Sequence, residues 1–151
     1  MLKGTDVIVQ SQTGSGKTLT YALPVLSKVD PFRSSIQAVI VTPTRELGQQ
    51  VTTVLKQLAA HAPKKVRIMT VVEGSNNRRQ QLWAVAEPPH IVVGNPPALQ
   101  RLVDMGKLRL NAVSLVVVDE VDACIANHVA KQVCCGYIRV GLCVLIVCCC
   151  E

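Results

Sequence analysis

The chain has 151 residues, 49% of them hydrophobic and 17% charged: enough apolar material for the core of one globular domain, and too little charge for disorder along its whole length. Lys and Arg number 16 against 10 Asp and Glu, a formal charge of +6, which suits an anionic partner such as a nucleotide or nucleic acid without requiring one. Aromatic residues make up only 3%, so RNA binding by stacking bases on an aromatic platform is excluded, and any grip on RNA has to come from its backbone.

Short β-branched runs alternate with longer helical stretches, with no repeat and no low-complexity linker between them. The first predicted strand, residues 6–10, leads into Ser11-Gln12-Thr13-Gly14-Ser15-Gly16-Lys17-Thr18. A strand, a small-residue loop and then Gly-Lys-Thr opening a helix is the context in which a phosphate-binding loop works. Successive N–H groups form a concave nest, and the helix N-terminus adds its positive dipole end. Gln12, Thr13, Gly14, Ser15 and Gly16 are the predicted cradle, Lys17 the partner of the β- and γ-phosphates, and Thr18 a hydroxyl ligand for Mg²⁺. Ser11 stands where the usual pattern has a first glycine.

The predicted helix over 17–29 is followed by a strand over 38–42 and then by Thr42-Pro43-Thr44-Arg45-Glu46-Leu47-Gly48. Pro43 disfavours helix at Thr42, while Thr44 can cap the helix predicted over 46–61. A hydroxyl, helix N–H groups and the Arg45 guanidinium are phosphate-backbone ligands, although the same residues read alone are equally an ordinary helix start. A strand over 66–72, a helix over 76–86, a strand over 90–94 and a helix over 96–105 come next, with Pro31, Pro63 and Pro88-Pro89 falling where helices should stop. The strand over 115–119 then delivers Asp119, Glu120 and Asp122 to its carboxyl end, where ligands bind in open α/β sheets. Asp119 is the predicted holder of the Mg²⁺ shell, and Glu120 orients or deprotonates an attacking water. An isolated Asp-Glu would be a solvated turn; paired with an upstream phosphate loop it reads as catalytic. Continuous apolar strands separated by crossover-length helices give a three-layer α/β domain with a mostly parallel central sheet.

Taken together, Gln-Thr-Gly-Ser-Gly-Lys-Thr, Pro-Thr-Arg-Glu-Leu-Gly and Val-Asp-Glu-Val-Asp, in that order across residues 4–123, resemble the first RecA-like domain of the DEAD-box ATP-dependent RNA helicases. The phrases from Gln37 to Gly48 and from Ala86 to Val93 are most similar to plant chloroplast-type members, which makes the chloroplast a candidate compartment. The resemblance implies a RecA-like P-loop NTPase fold, incomplete at both ends. It implies ATP and Mg²⁺ at Gly14, Gly16, Lys17 and Thr18, hydrolysis at Asp119 and Glu120 with Lys17, and RNA sugar-phosphate contacts from Pro43, Thr44 and Arg45. It assigns coupling of hydrolysis to unwinding to Asp122.

The departures are informative. Ser11 replaces the family's usual Ala, Val121 stands where the acidic motif has Ala, and the family's Thr-Pro-Gly-Arg is matched only by Asn95-Pro96-Pro97-Ala98, which loses the RNA-facing Arg. The adenine-reading Q motif, the Ser-Ala-Thr motif and the second RecA-like domain with its arginine finger have no counterpart here. The expectation is therefore a helicase fragment, inactive in unwinding by itself and weak at most in hydrolysis. The alternatives are a non-catalytic nucleotide- or RNA-binding truncation product and another P-loop ATPase, for which Pro-Thr-Arg-Glu-Leu would be foreign.

All seven cysteines lie between Cys124 and Cys150, six of them in the last 23 residues. Their odd number and the absence of paired C-x-x-C or His partners argue against a secreted disulfide framework and a zinc site. No leader is visible, and an intracellular setting follows. The charge-free apolar run 140–150 is shorter than the roughly 20 residues a membrane span needs, so no membrane association is expected. The chain divides into a partial RecA-like domain, 1–128, and a divergent Cys-rich tail, 129–151. In the family's sheet a central strand lies between the phosphate-loop strand and the acidic strand, and Leu142-Cys143-Val144-Leu145-Ile146-Val147 is the downstream run suited to fill that slot, with 129–138 as the crossover.

Overall fold

The structure, a computed structural model of the chain, describes residues 5–12, 14–72, 87–125 and 143–149. Six strands form one sheet: β1 (Val7–Ser11), β2 (Ala38–Val41), β3 (Ile68–Val71), β4 (Ile91–Gly94), β5 (Leu115–Val118) and β6 (Cys143–Cys149), in the order β1-β6-β5-β2-β4-β3. Every ladder is parallel. The helices are α1 (Lys17–Lys28), α2 (Arg45–Ala59), α3 (Pro96–Asp104) and the short α4 (Val121–Ile125). Each predicted strand and three of the four predicted helices appear within a residue or two of their expected bounds. The helix expected over 76–86 and the crossover over 129–138 lie outside the described residues, and α4 has no counterpart in the sequence reading.

Strands β2, β4 and β5 are buried at every residue, because helices cover both faces of the sheet and leave no polar-out positions. The alternation of the strand separates two cores. Ala38, Ile40, Ile91, Val93, Leu115 and Val117 face Tyr21, Ala22 and Val25 of α1 and Val51 and Leu55 of α2. On the other side Val39, Val41, Val92, Val116 and Val118 meet Ala98 and Leu99 of α3, Leu108, Val113 and Cys124 of α4. Helix α1 keeps its course despite Pro24 in its interior, at the expense of the hydrogen bond that a residue there would donate to the carbonyl of Thr20.

The amino edge of the sheet is closed by backbone bonds around two buried polar residues. The N–H groups of Gln37 and Ala38 donate to the His90 carbonyl (2.8 and 3.2 Å), those of Ser114 and Leu115 to the Gln37 carbonyl (2.9 and 3.3 Å), and that of Arg67 to His90 Nδ1 (3.0 Å). The carboxyl edge is left to loops.

β6 occupies the slot between β1 and β5. It pairs with β1 from Val7–Leu145 to Ser11–Cys149 and with β5 from Leu115–Cys143 to Val118–Ile146. It starts at Cys143, one residue after the expected Leu142, and runs on past Val147 to Cys149. A strand flanked on both sides satisfies N–H and C=O groups of two neighbours as well as its own. Each such group left buried and unpaired costs about 1–3 kcal/mol, against a total stability of about 5–15 kcal/mol for a domain. A chain ending at residue 142 should therefore lose its cooperative thermal transition by circular dichroism, and the amides of Val7 to Val9 should exchange rapidly with solvent. A truncated chain that still melts cooperatively, with those amides protected, would show that β6 is dispensable.

Candidate functional site

Because all strands are parallel, β1, β2, β4 and β5 release their following turns at the same edge. After β1 the chain passes Gln12 and turns twice through left-handed glycines, Gly14 at φ 77° and Gly16 at φ 84°. The Ser15 hydroxyl donates to the Gln12 carbonyl at 2.7 Å, and the Ser15 N–H reaches the same oxygen at 3.4 Å, so the loop closes on itself. Gly16 is the N-cap of α1, and its carbonyl accepts from the N–H groups of Leu19 (3.0 Å) and Thr20 (3.2 Å). No side chain caps this helix and no acidic residue stands in its first turn, so no carboxylate of α1 itself occupies its positive dipole end. Lys17 and Thr18 open the helix, both half-buried. Thr13 lies outside the described residues.

At the end of β5, Asp119 extends the ladder by donating its N–H to the Val41 carbonyl (2.9 Å) and is 4% exposed. Both of its carboxylate oxygens are engaged. Oδ1 accepts from the N–H of Glu120 at 3.0 Å, and Oδ2 accepts from the hydroxyl of Tyr21 at 2.7 Å. Burial raises the Asp119 carboxyl above the ordinary carboxylate range, opposed by the Tyr21 and Glu120 hydrogen bonds and by the nearby positive charge of Lys17. Burial, and then the neighbouring Asp119 charge, push the Tyr21 hydroxyl far above the usual phenol range, so it is protonated and donates. Glu120 adopts φ 47°, a left-handed conformation that costs a non-glycine residue about 1–3 kcal/mol. The turn is held from α4, where the Cys124 N–H donates to the Glu120 carbonyl at 3.0 Å and Cys124 Sγ approaches the Asp119 carbonyl at 3.4 Å. Asp122 is exposed in the first turn of α4.

The third segment follows β2. Thr44 is the N-cap of α2, its Oγ1 accepting from the Leu47 N–H at 3.2 Å. Pro43 is half-buried, and Thr44 and Arg45 are exposed. α2 packs closely here: a Cβ on Gly48 would stand 2.9 Å from Thr42 Oγ1. Three strand spacings separate β1 from β2, about 14 Å, so Thr44 and Arg45 form a surface distinct from the phosphate loop. At the matching end of β4, Asn95 is the N-cap of α3, its side chain making no capping hydrogen bond, and prolines occupy the first two helical positions. Neither proline has an N–H to offer.

The structure thus brings Lys17, Thr18, Asp119 and Glu120 to one edge and places Thr44 and Arg45 further along it. Tyr21 is the site residue that sequence reading passed over. It follows Lys17 by four positions on α1, which puts the two on one face. Its partner is 98 residues away in sequence, and the helical spacing from Lys17 was the one available signal. For Mg²⁺, the donor set fits: a hydroxyl and a carboxylate are hard oxygen ligands, and Mg²⁺ takes few protein ligands where phosphates and water complete its shell. Thr18 stands one turn before Tyr21 on α1, and the Tyr21 hydroxyl is bonded to Asp119. Among the described residues no cluster of three or more His, Cys, Asp or Glu could hold a metal alone, and no helix is long and apolar enough to cross a membrane.

Comparison with known proteins adds the following. The profile of the DEAD/DEAH box helicase family matches residues 1–136. The chain is 46% identical over 125 residues to DEAD-box ATP-dependent RNA helicase 58, chloroplastic, of Arabidopsis thaliana, covering 81% of this chain and 26% of that protein. It is 42% identical over 121 residues to the DEAD-box ATP-dependent RNA helicase CshA of Bacillus cereus, covering 80% and 22%. Among solved structures it is similar to a DEAD box protein from the hyperthermophile Methanococcus jannaschii, with a TM-score of 0.86 and 27% identity over 99% of this chain and 41% of that one. The chain spans about a quarter of the length of the curated relatives it matches.

The geometry of the phosphate loop makes a specific demand on Gly16. A Cβ there would meet nothing within 4 Å, so substitution is opposed only by the left-handed backbone. Gly16→Ala should lower stability by about 1–2 kcal/mol, read as a reduced urea midpoint with an unchanged slope. A loss well above that would mean the loop is crowded rather than strained.

Proposed function

The chain belongs to the DEAD/DEAH box helicase family, and we propose that it is the nucleotide-binding RecA-like part of an ATP-dependent RNA helicase. The observation that carries this reading is the join between the phosphate-loop helix and the acidic strand. Tyr21 of α1 reaches Asp119 at the end of β5 across 98 residues of sequence at 2.7 Å, and so holds a Gly-Lys-Thr helix start against an Asp-Glu pair at one sheet edge.

In this reading the loop from Gln12 to Thr18 binds the phosphates of ATP through its N–H groups, and Lys17 places its charge on the β- and γ-phosphates. Thr18 and Asp119 would hold Mg²⁺, which neutralises phosphate charge when bound. Glu120, presented on its left-handed turn, orients the attacking water and accepts its proton. Pro43, Thr44 and Arg45 contact the RNA sugar-phosphate backbone, a sequence-blind grip that salt weakens. Asp122, exposed on α4, is the proposed link between hydrolysis and RNA. Residues 1–128 are proposed as the RecA-like part, with 129–151 as a divergent tail that contributes β6. The curated relatives extend far beyond the matched segment, which leaves room for a second RecA-like domain, and we assign unwinding to the two domains together. The Arabidopsis and rice relatives are named chloroplastic, and the chloroplast is the compartment we propose.

One observation favours a second reading, in which this chain binds nucleotide or RNA without productive turnover. Register places Cys148 beside Gln10 and Cys149 beside Ser11, at the sheet edge where the family's Ser-Ala-Thr coupling motif would stand. Thiols are poorer hydrogen-bond partners than hydroxyls, so in this second reading Asp122 does not couple hydrolysis to RNA.

Titration with a fluorescent ATP analogue in Mg²⁺, alongside phosphate release with and without RNA, separates these possibilities. Lys17→Ala should abolish analogue binding, whereas Glu120→Gln should keep binding and remove turnover. GTP should compete nearly as well as ATP, since the loop N–H groups and Lys17 read phosphates and not the base. Unchanged analogue affinity in Lys17→Ala would overturn the phosphate-loop assignment.

On the RNA side, Arg45→Ala should weaken binding of single-stranded RNA uniformly across sequences. It should also reduce the slope of log affinity against log salt by about 0.7, the share of one phosphate contact. An unchanged slope would remove Arg45 from the RNA surface.

A further inference from the structure

We propose that Tyr21 is a positioning residue for the Mg²⁺–nucleotide site, acting through Asp119. The inference rests on the nucleotide-binding reading above and adds to it a residue that the phosphate-loop and acidic motifs do not contain.

β1, which launches the phosphate loop, and β5, which ends at Asp119, are not neighbours, because β6 lies between them. No β1–β5 ladder therefore fixes the distance from Thr18 to Asp119. Tyr21 supplies a link from the side. It is fully buried on α1, one turn beyond Thr18 and Lys17, and its hydroxyl donates to Asp119 Oδ2 at 2.7 Å. The residue that orients one proposed metal ligand thus stands on the same helix as the other, one turn beyond it.

Asp119 is 4% exposed, and a carboxylate buried so deeply stays useful as a ligand only if hydrogen bonds both stabilise it and fix its plane. The Glu120 N–H takes Oδ1 and Tyr21 takes Oδ2, so two donors on different elements define its orientation. The Glu120 bond is local and belongs to the turn itself. The Tyr21 bond is the one that ties the orientation of the carboxylate to the helix carrying Lys17 and Thr18. A buried tyrosine hydroxyl needs some partner, and a backbone carbonyl would serve that need equally well; a carboxylate at a strand end serves it while being positioned.

Tyr21→Phe keeps the ring that packs against Val25 and Ile40 in the core and removes only the hydroxyl. In the full chain, binding of a fluorescent ADP analogue is measured as a function of Mg²⁺ concentration and again in excess EDTA. The half-saturating Mg²⁺ concentration should rise about tenfold, the order expected for losing a hydrogen bond to a charged group, while affinity in EDTA stays at the wild-type value. A merely structural role would lower both together. In an Asp119→Asn background, Tyr21→Phe should produce no further shift. A second readout leaves Tyr21 in place. In chain labelled with 3-fluorotyrosine, the ¹⁹F resonance that disappears in Tyr21→Phe should move on adding Mg²⁺–ADP and stay put on adding ADP with EDTA. An unchanged Mg²⁺ midpoint in Tyr21→Phe, a full shift persisting in the Asp119→Asn background, or a ¹⁹F resonance blind to Mg²⁺ would each overturn the positioning role. Wild-type chain that binds no nucleotide at all would instead refute the nucleotide reading, and this inference with it.

Discussion

Parallel pairing of all six strands forces every strand-to-helix turn to one edge of the sheet and every return to the other. Nothing else in the molecule has so many consequences. The return edge is sealed by backbone bonds to the Gln37 and His90 carbonyls, which leaves the carboxyl edge as the place where loop N–H groups and charged side chains collect. Gly14 to Thr18, Thr42 to Arg45, Asn95 and Asp119 with Glu120 all stand there, although the sequence spreads them over more than a hundred positions. The spacing of strands then sorts them: the Thr44–Arg45 surface lies three strand spacings, about 14 Å, from the phosphate loop, with the acidic residues of β5 between them and next to β2.

That arrangement carries an electrostatic cost, concentrated in Asp119. Burying a carboxylate is unfavourable unless donors meet it, and here the donors come from three directions: the Glu120 N–H, the Tyr21 hydroxyl and, at longer range, the Lys17 charge. The left-handed turn at Glu120 adds backbone strain immediately beside it. Strain and a buried charge in adjacent residues are tolerated where the surrounding structure over-determines them. The Cys124 bonds from α4 and the β2–β5 ladder, carried one residue further by the Asp119 N–H, supply that support.

The centre of the sheet depends on a segment whose composition differs from the rest of the chain. β6 is built from Cys, Val, Leu and Ile, residue types that are among the most often buried. What a central parallel strand requires is an uncharged, proline-free run of sufficient length, and the tail meets that requirement without carrying the hydroxyl residues that the family places at the strand's end.

Much of this was legible in the amino-acid sequence because it depends on neighbours only a few residues apart. The strands follow from β-branched runs, the phosphate loop from Gly14 and Gly16 ahead of Lys17, and the start of α2 from Thr44 before Arg45; backbone torsion and capping are local properties. α4 escaped because five residues are too few for a helical period to show, and the positive φ of Glu120 escaped because glutamate has no intrinsic preference for it. The strand order, with β6 entering between β1 and β5, took the family resemblance to anticipate, since apolar runs of equal length are interchangeable until they compete for one slot. Only the tertiary structure decided that Tyr21, an apolar-face residue by its helical spacing, ends at Asp119. A hydrogen bond between groups 98 residues apart is set by how a helix lies across a sheet, and that is a property of packing which no stretch of sequence contains.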